Sequence, residues 1–278
     1  MNRKAFSFIL LFTFSICLST GYSQAVLKID TRNILDFIVN NIVLKDRLDT
    51  EAKLWKTLKV KEITTQYQSE RQEFRAISLV NTEGYIYDRK VYDEDNFLIT
   101  TFKVNYENNS HEPLYIEFEG NGNYEAHSLH YKNGKLDYIK TDFDIPEQDV
   151  VQFYYGSGKK SNQVEKIVLL RPNEPALTTI FLYDNFGRLS IVQNEIGKTE
   201  YAFEYSENKV VMNYRFIVED VFEYTNSIFR KHTQTNREKG IISSEEYTFG
   251  ENGLRNEGTS LNKDGITTNI KINWKYYE

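Results

Sequence analysis

Phe181-Leu182-Tyr183-Asp184-Asn185-Phe186-Gly187-Arg188-Leu189-Ser190-Ile191-Val192-Gln193 reads as strand, tight turn, strand. Phe181, Leu182 and Tyr183 favour an extended backbone, as do Ile191 and Val192. Asp184 suits the first position of a type I turn, because its carboxylate accepts a backbone N–H two residues on. Gly187 suits the fourth, where the chain needs positive φ to rejoin a strand through a bulge. The expected product is a β-hairpin with a short loop.

The pattern recurs. An aromatic residue or Leu is followed four positions later by Gly or Asn at Tyr92/Asn96, Phe118/Gly122, Tyr154/Gly158, Tyr183/Gly187, Phe249/Gly253 and Leu261/Gly265. Tyr131-Lys132-Asn133-Gly134-Lys135-Leu136 is one residue shorter, and its Asn-Gly favours a type I′ turn. Tyr205-Ser206-Glu207-Asn208-Lys209-Val210 is a decayed copy, with Lys209 in place of Gly. Starts at 92, 118, 131, 154, 183, 205, 249 and 261 give steps of 12 to 29 residues and one gap of 44. About 12 residues fits a strand and turn, and about 24 a hairpin, so the array reads as a β-meander.

Tyr183-Asp184-x-x-Gly187-Arg188-Leu189 resembles the core of the YD repeat of RHS-type proteins and of short secreted bacterial proteins. The Tyr131 copy is also similar to a MORN-type repeat. The resemblance covers about Gly84 to Glu278 in pattern and is close only over 181–193. It implies a β-repeat fold and adds little about function; the repeats are too few for the closed shells that long RHS proteins build.

Asn2-Arg3-Lys4 precedes an apolar run from Ala5 to Leu18, followed by Ser19-Thr20-Gly21-Tyr22-Ser23. That order reads as a secretory signal peptide over 1–23, cut before Gln24. The run is short for a membrane span, which takes about 20 apolar residues. Ile16 ahead of Cys17 does not fit a lipoprotein cleavage site, so a soluble exported protein, periplasmic or extracellular, is expected. Cys17 is the only cysteine, so the processed chain has no disulfide, cysteine ligand or cysteine nucleophile. Losing Arg3 and Lys4 takes the net charge from −6 to −8, and no basic patch invites nucleic acid. No later stretch is long and apolar enough for a transmembrane helix.

Residues 24–59 lack Gly beyond the leader and lack Pro, and Ile34, Phe37, Ile38, Ile42 and Leu48 recur at helical spacing. Asp49 or Thr50 is placed to cap a second helical piece with Ala52, Leu54, Trp55 and Leu58. This segment is expected to be a short helical cap over one end or face of the sheet. From Val60 the period changes to alternation, through Val60–Tyr67, Phe74–Val80 and a series of strands to Thr267–Trp274. The four prolines fall in breaks. The expected fold is mainly β: an antiparallel meander of repeated hairpins over 60–278, forming a long twisted or curled sheet with a helical N-terminal cap.

Candidate chemistry is sparse. His127 and His130, three apart on a strand, point to opposite faces and do not share a metal. Glu125 and His127 share a face without a third catalytic group. The acidic loops Asp142–Asp149 and Asp93–Asn96 lack EF-hand spacing. Gly156–Ser161 lacks the phosphate-loop spacing, and the Asn108-Asn109-Ser110 sequon carries little meaning in a bacterial chain. No catalytic residue, metal site or cofactor is expected. Trp274, Tyr276 and Tyr277 are the conspicuous binding candidates, as rings for a glycan or as terminal-strand packing. The expected function is a non-catalytic exported protein that binds an envelope protein or glycan, or acts as a scaffold. The alternatives are a carboxylate hydrolase of envelope polymers and a lipid or lipoprotein carrier under the helices.

Overall fold

The computed structural model describes residues 31–278 apart from 107–111, 121–122, 143–148 and 227, with a few further side chains undescribed. The leader, the sequon, Gly122 and most of the acidic 142–149 loop therefore lie outside the described residues. Helix α1 (Thr31–Thr57) leads into 18 strands.

The strands run β1 (Val60–Ser69), β2 (Glu73–Val80), β3 (Ile86–Tyr92), β4 (Leu98–Tyr106), β5 (Pro113–Gly120) and β6 (Asn123–Lys132). They continue as β7 (Lys135–Asp142), β8 (Val150–Tyr155), β9 (Val164–Leu170), β10 (Leu177–Tyr183), β11 (Leu189–Asn194) and β12 (Thr199–Ser206). The last six are β13 (Lys209–Tyr214), β14 (Val218–Thr225), β15 (Ile228–Asn236), β16 (Gly240–Phe249), β17 (Arg255–Asn262) and β18 (Thr267–Tyr276).

Each strand pairs antiparallel with the next, and β18 pairs back onto β1 over Ile63↔Trp274, Thr65↔Ile272 and Tyr67↔Ile270. The sheet is a closed barrel, not the open twisted or curled sheet that the alternation suggests. The physical reason is edge removal: joining β18 to β1 satisfies two rows of backbone donors and acceptors that an open meander leaves exposed.

The hairpins supply the curvature. Asp184 N–H bonds Arg188 C=O at 2.9 Å, Gly187 N–H bonds Asp184 C=O at 3.0 Å, and Gly187 has φ +80°. Asp184 Oδ1 accepts from the N–H groups of Phe186 and Arg188. The same construction stands at Asn81–Tyr85, Asp93–Phe97 and Asn262–Ile266. A register shift follows in most hairpins, and such bulges raise the local twist.

At one end of the barrel tyrosines close five successive hairpins, from β3–β4 to β11–β12. Tyr106, Tyr131, Tyr155, Tyr183 and Tyr205 end β4, β6, β8, β10 and β12. Each donates its hydroxyl to the carbonyl that starts the preceding strand: Ile86, Pro113, Leu136, Val164 and Leu189, at 2.7–3.1 Å. Trp274 Nε1 does the same to Arg255 C=O at 2.8 Å. The recurring aromatic is thus a staple between neighbouring strands, with a ring in the core and a polar tip on backbone.

Helix α1 docks at this stapled end. It is one uninterrupted helix of 27 residues, where two pieces were expected. Asp49, read as a cap, instead pairs with Lys45 one turn away at 2.9 Å. Leu35, Ile38, Val39 and Ile42 form one face by spacing, and Ile38 and Val39 are wholly buried in the barrel's core. Trp55 packs 6.0 Å from Trp274, and Ala52 lies against Gly84, where a Cβ would stand 2.1 Å from Ala52 O. Gly84 has φ +89°, so both close approach and backbone conformation demand glycine there.

Candidate ligand-binding interior

Strand register decides what faces inward. Met212 pairs with Phe203 and Asp220, Phe222 with His232, and His232 with Glu245, all on the face of the buried core. The interior is graded along the barrel. Near α1 it is dry and apolar: Leu136, Val164, Leu189 and Val192 are buried to within 2 %. Toward the opposite end the inward positions become Thr100, Thr179, Asn194, Gln234, Ser243 and Thr268, all half-buried. Half-buried hydroxyl and amide groups on an inner face are reached by water, so this end is solvated.

A polar seam links the two zones along β14–β18, β1 and β3. Glu51 of α1 is 3 % exposed; its carboxylate accepts from Phe229 N–H and from Arg255 Nη2, both at 3.2 Å. Burial alone would weaken the Arg255 guanidinium as a base, yet Glu51 beside it holds its pKa above the usual value. Arg255 also covers the rings of Phe229 and Tyr247 at 5.6 and 5.1 Å. Tyr247 donates to Glu245, and burial followed by that carboxylate pushes the phenol well above its ordinary range.

Farther along, Arg89 Nη2 lies 3.5 Å from Tyr67 Oη. Burial raises the Tyr67 pKa, with Arg89 opposing. Arg89 shares its inward face with Ser78 and Phe102. Asp220 Oδ1 takes His232 Nε2 at 2.8 Å and Gln234 Nε2 at 3.0 Å, while Phe222 stacks on the imidazole at 4.6 Å. The half-buried hydroxyls and amides at the solvated end are placed to hydrogen-bond a polar group, and the apolar core lies below them. Among the described residues no cluster of three metal-ligating side chains forms.

His127 is buried inside, 3.2 Å from Thr141 Oγ1, whereas His130 lies outside, stacked on Tyr138. Trp274 and Tyr277 serve the closing seam: the Tyr277 hydroxyl donates to Val80 C=O at 2.6 Å and its N–H to Lys59 C=O at 2.7 Å. Tyr276 is 45 % exposed and takes a bond from Asn252 Nδ2. Sequence reasoning did not single out Arg89, Glu51, Asp220 or Glu245. The available signal was a charged residue at an inward parity, visible only once register is known.

The outer face carries charges at mid-strand, including Lys103, Glu117, Glu246 and Lys271, with cross-strand pairs such as Arg230–Glu246 at 3.0 Å and Lys275–Glu62 at 2.7 Å. Among the described residues, an unbroken apolar band of the kind membrane-spanning barrels present to lipid does not run around it. No described helix is long and apolar enough to cross a membrane.

No protein-family model matches the chain, and no curated protein matches it. A solved porin-like protein from Bacteroides uniformis is similar at 10 % identity and TM-score 0.41, over 78 % of this chain and 98 % of that one. A LolA superfamily protein from Nitrosomonas europaea is similar at 8 % identity and TM-score 0.28, over 85 % and 94 %. A putative outer membrane lipoprotein-sorting protein domain from Vibrio parahaemolyticus is similar at 10 % identity and TM-score 0.27, over 82 % and 93 %. At these scores the likenesses carry no weight for function. The YD-repeat and MORN-type resemblance does not hold: the recurring hairpins close into one ring, with β18 paired to β1. Tyr-Asp-x-x-Gly here is the corner of a barrel hairpin, chosen by turn geometry and by the staple its tyrosine makes.

Proposed function

We propose that this chain is a non-catalytic exported carrier of an amphiphile, a lipid or the acyl anchor of a lipoprotein. The observation that supports the reading is the graded interior: an apolar zone sealed by α1, a half-buried polar zone at the far end, and Arg89 at the boundary with its guanidinium beside Tyr67. An acyl chain gains about 0.8 kcal/mol per buried methylene in the first zone. A polar or anionic head meets hydroxyls and amides in the second, with the Arg89 guanidinium at its inner boundary.

The test is organic extraction of processed protein from an exporting host, with mass spectrometry of the extract, and titration with a fluorescent fatty acid. Recovery of lipid at near-stoichiometric yield and saturable probe binding are expected. Arg89→Ala is expected to weaken a carboxylate-headed probe about tenfold, the order of one charge-assisted hydrogen bond. Lipid-free protein that leaves the probe unbound would overturn the reading.

A further inference from the structure

At the end of the barrel away from α1, three successive turns present apolar tips. Ile196 lies between β11 and β12, Phe216 and Ile217 between β13 and β14, and Ile241 where β16 begins after the β15 turn. They are 81 %, 51 %, 49 % and 53 % exposed. The turns are fixed, not loose. Arg237 N–H bonds Ile217 C=O at 3.0 Å, tying two of them together. Arg215 N–H bonds Glu200 C=O at 2.8 Å, and its guanidinium pairs with the Glu200 carboxylate.

Phe216 is the informative residue. It sits at φ +58°, with Arg215 at +48°, a pair of left-handed positions where Asn-Gly is the favoured choice. A bulky side chain is disfavoured there, and this one is half exposed. Neither strain nor exposure benefits the folded chain in water. Observed backbone strain of this kind points to a role outside folding.

The charges beside the tips are Lys198, Arg215, Arg237 and Lys239 against Glu195, Glu238 and the Glu200 that pairs with Arg215, a local excess of one positive charge (four less three). The whole chain carries −6. Adjacent strands are about 4.8 Å apart, so tips two strands apart lie about 10 Å from one another, and the three span about 20 Å of rim.

We propose that this rim docks on an anionic lipid bilayer. Ile196, Phe216, Ile217 and Ile241 enter the headgroup boundary, and Lys198, Arg237 and Lys239 lie against lipid phosphates. Long basic side chains suit that geometry, since their stems stay apolar while their heads reach the phosphates. Docking here brings one side of the solvated rim against the membrane, across the ring from the acidic β3–β4 turn of Asp93, Glu94 and Asp95. It does not depend on what the barrel holds.

The processed protein is to be sedimented with large unilamellar vesicles of phosphatidylglycerol and phosphatidylethanolamine, and separately with phosphatidylcholine vesicles. Binding to the anionic vesicles that weakens as salt rises is expected. The variant I196S/F216G/I241S is expected to lose binding at least tenfold. F216G alone, which relieves the left-handed strain, is expected to bind less while its thermal midpoint holds or rises, which separates docking from folding. Wild type remaining in the supernatant, or a triple variant binding like wild type, would overturn the proposal. So would a wild-type dimer in sedimentation velocity that the triple variant abolishes, since a second copy would then own the surface.

Discussion

Glu51 is the residue on which the docking of α1 turns. It is an acid within an apolar helix face, and it is retained because two donors from different strands meet it. Removing one partner of a buried pair leaves the other charge stranded, at about 3–5 kcal/mol. Glu51→Ala is therefore expected to cost about 3–5 kcal/mol in urea unfolding. Gly84→Ala acts on the same contact from the loop side: a Cβ against Ala52 O at φ +89° is expected to cost roughly 2–3 kcal/mol. In both variants helical ellipticity is expected to become more labile than the sheet signal. A Gly84→Ala protein with the parent's midpoint would contradict the close approach described.

At the scale of elements, the hairpin corner was legible in the residues. Asp184 and Gly187 dictate a turn with a bulge, and Gly187 and Gly253 are at bends with positive φ. What the residues hid was the second job of the tyrosines. Tyr131, Tyr183 and Tyr205 recur in the sequence for the sake of a carbonyl 16–19 positions back, a distance no local pattern expresses. Strand β17, Arg255–Asn262, also escaped: it has one large apolar residue and a glycine that leaves room for the Tyr247 ring. Its strand character comes from neighbours on both sides, a tertiary override of propensity.

The staples have a pH signature. Burial is the first cause that raises the pKa of Tyr106, Tyr131, Tyr155, Tyr183 and Tyr205, and it pushes Tyr85 up to about 12. A phenol raised in the folded state stabilises the fold fully below the unfolded value of about 10. That contribution is lost as pH climbs from there through the folded values. The barrel is expected to hold to about pH 10 and then to unfold as tyrosinate absorbance and loss of ellipticity appear together. Tyrosinate forming with the circular dichroism unchanged would contradict the burial of these hydroxyls. Tyr183→Phe is expected to cost about 1 kcal/mol, one neutral hydrogen bond.

For the whole molecule, closure is the property no local reading reaches. Val60–Ser69 and Thr267–Tyr276 each alternate like any other strand, and nothing within either names its partner some two hundred residues away. The seam is also the most non-local contact in the chain, and such pairing is slow. Refolding is expected on the millisecond-to-second scale, with the seam among the last contacts made. Ile270→Ala, a cut into a side chain only 2 % exposed, is expected to cost about 2–4 kcal/mol, and chiefly to speed unfolding in a chevron analysis. An Ile270→Ala effect confined to the refolding limb would place seam formation early instead.

A ring of antiparallel strands admits only an even number, since an odd one would force two neighbours to run the same way. Adding or deleting a single strand therefore breaks the circle, whereas gaining or losing a whole hairpin, with its tyrosine and the carbonyl it holds, leaves it intact. The circumference of this barrel is thus quantised in strand pairs, five of which carry the tyrosine staple. Duplication or loss of such a pair is the step by which relatives of different girth would arise.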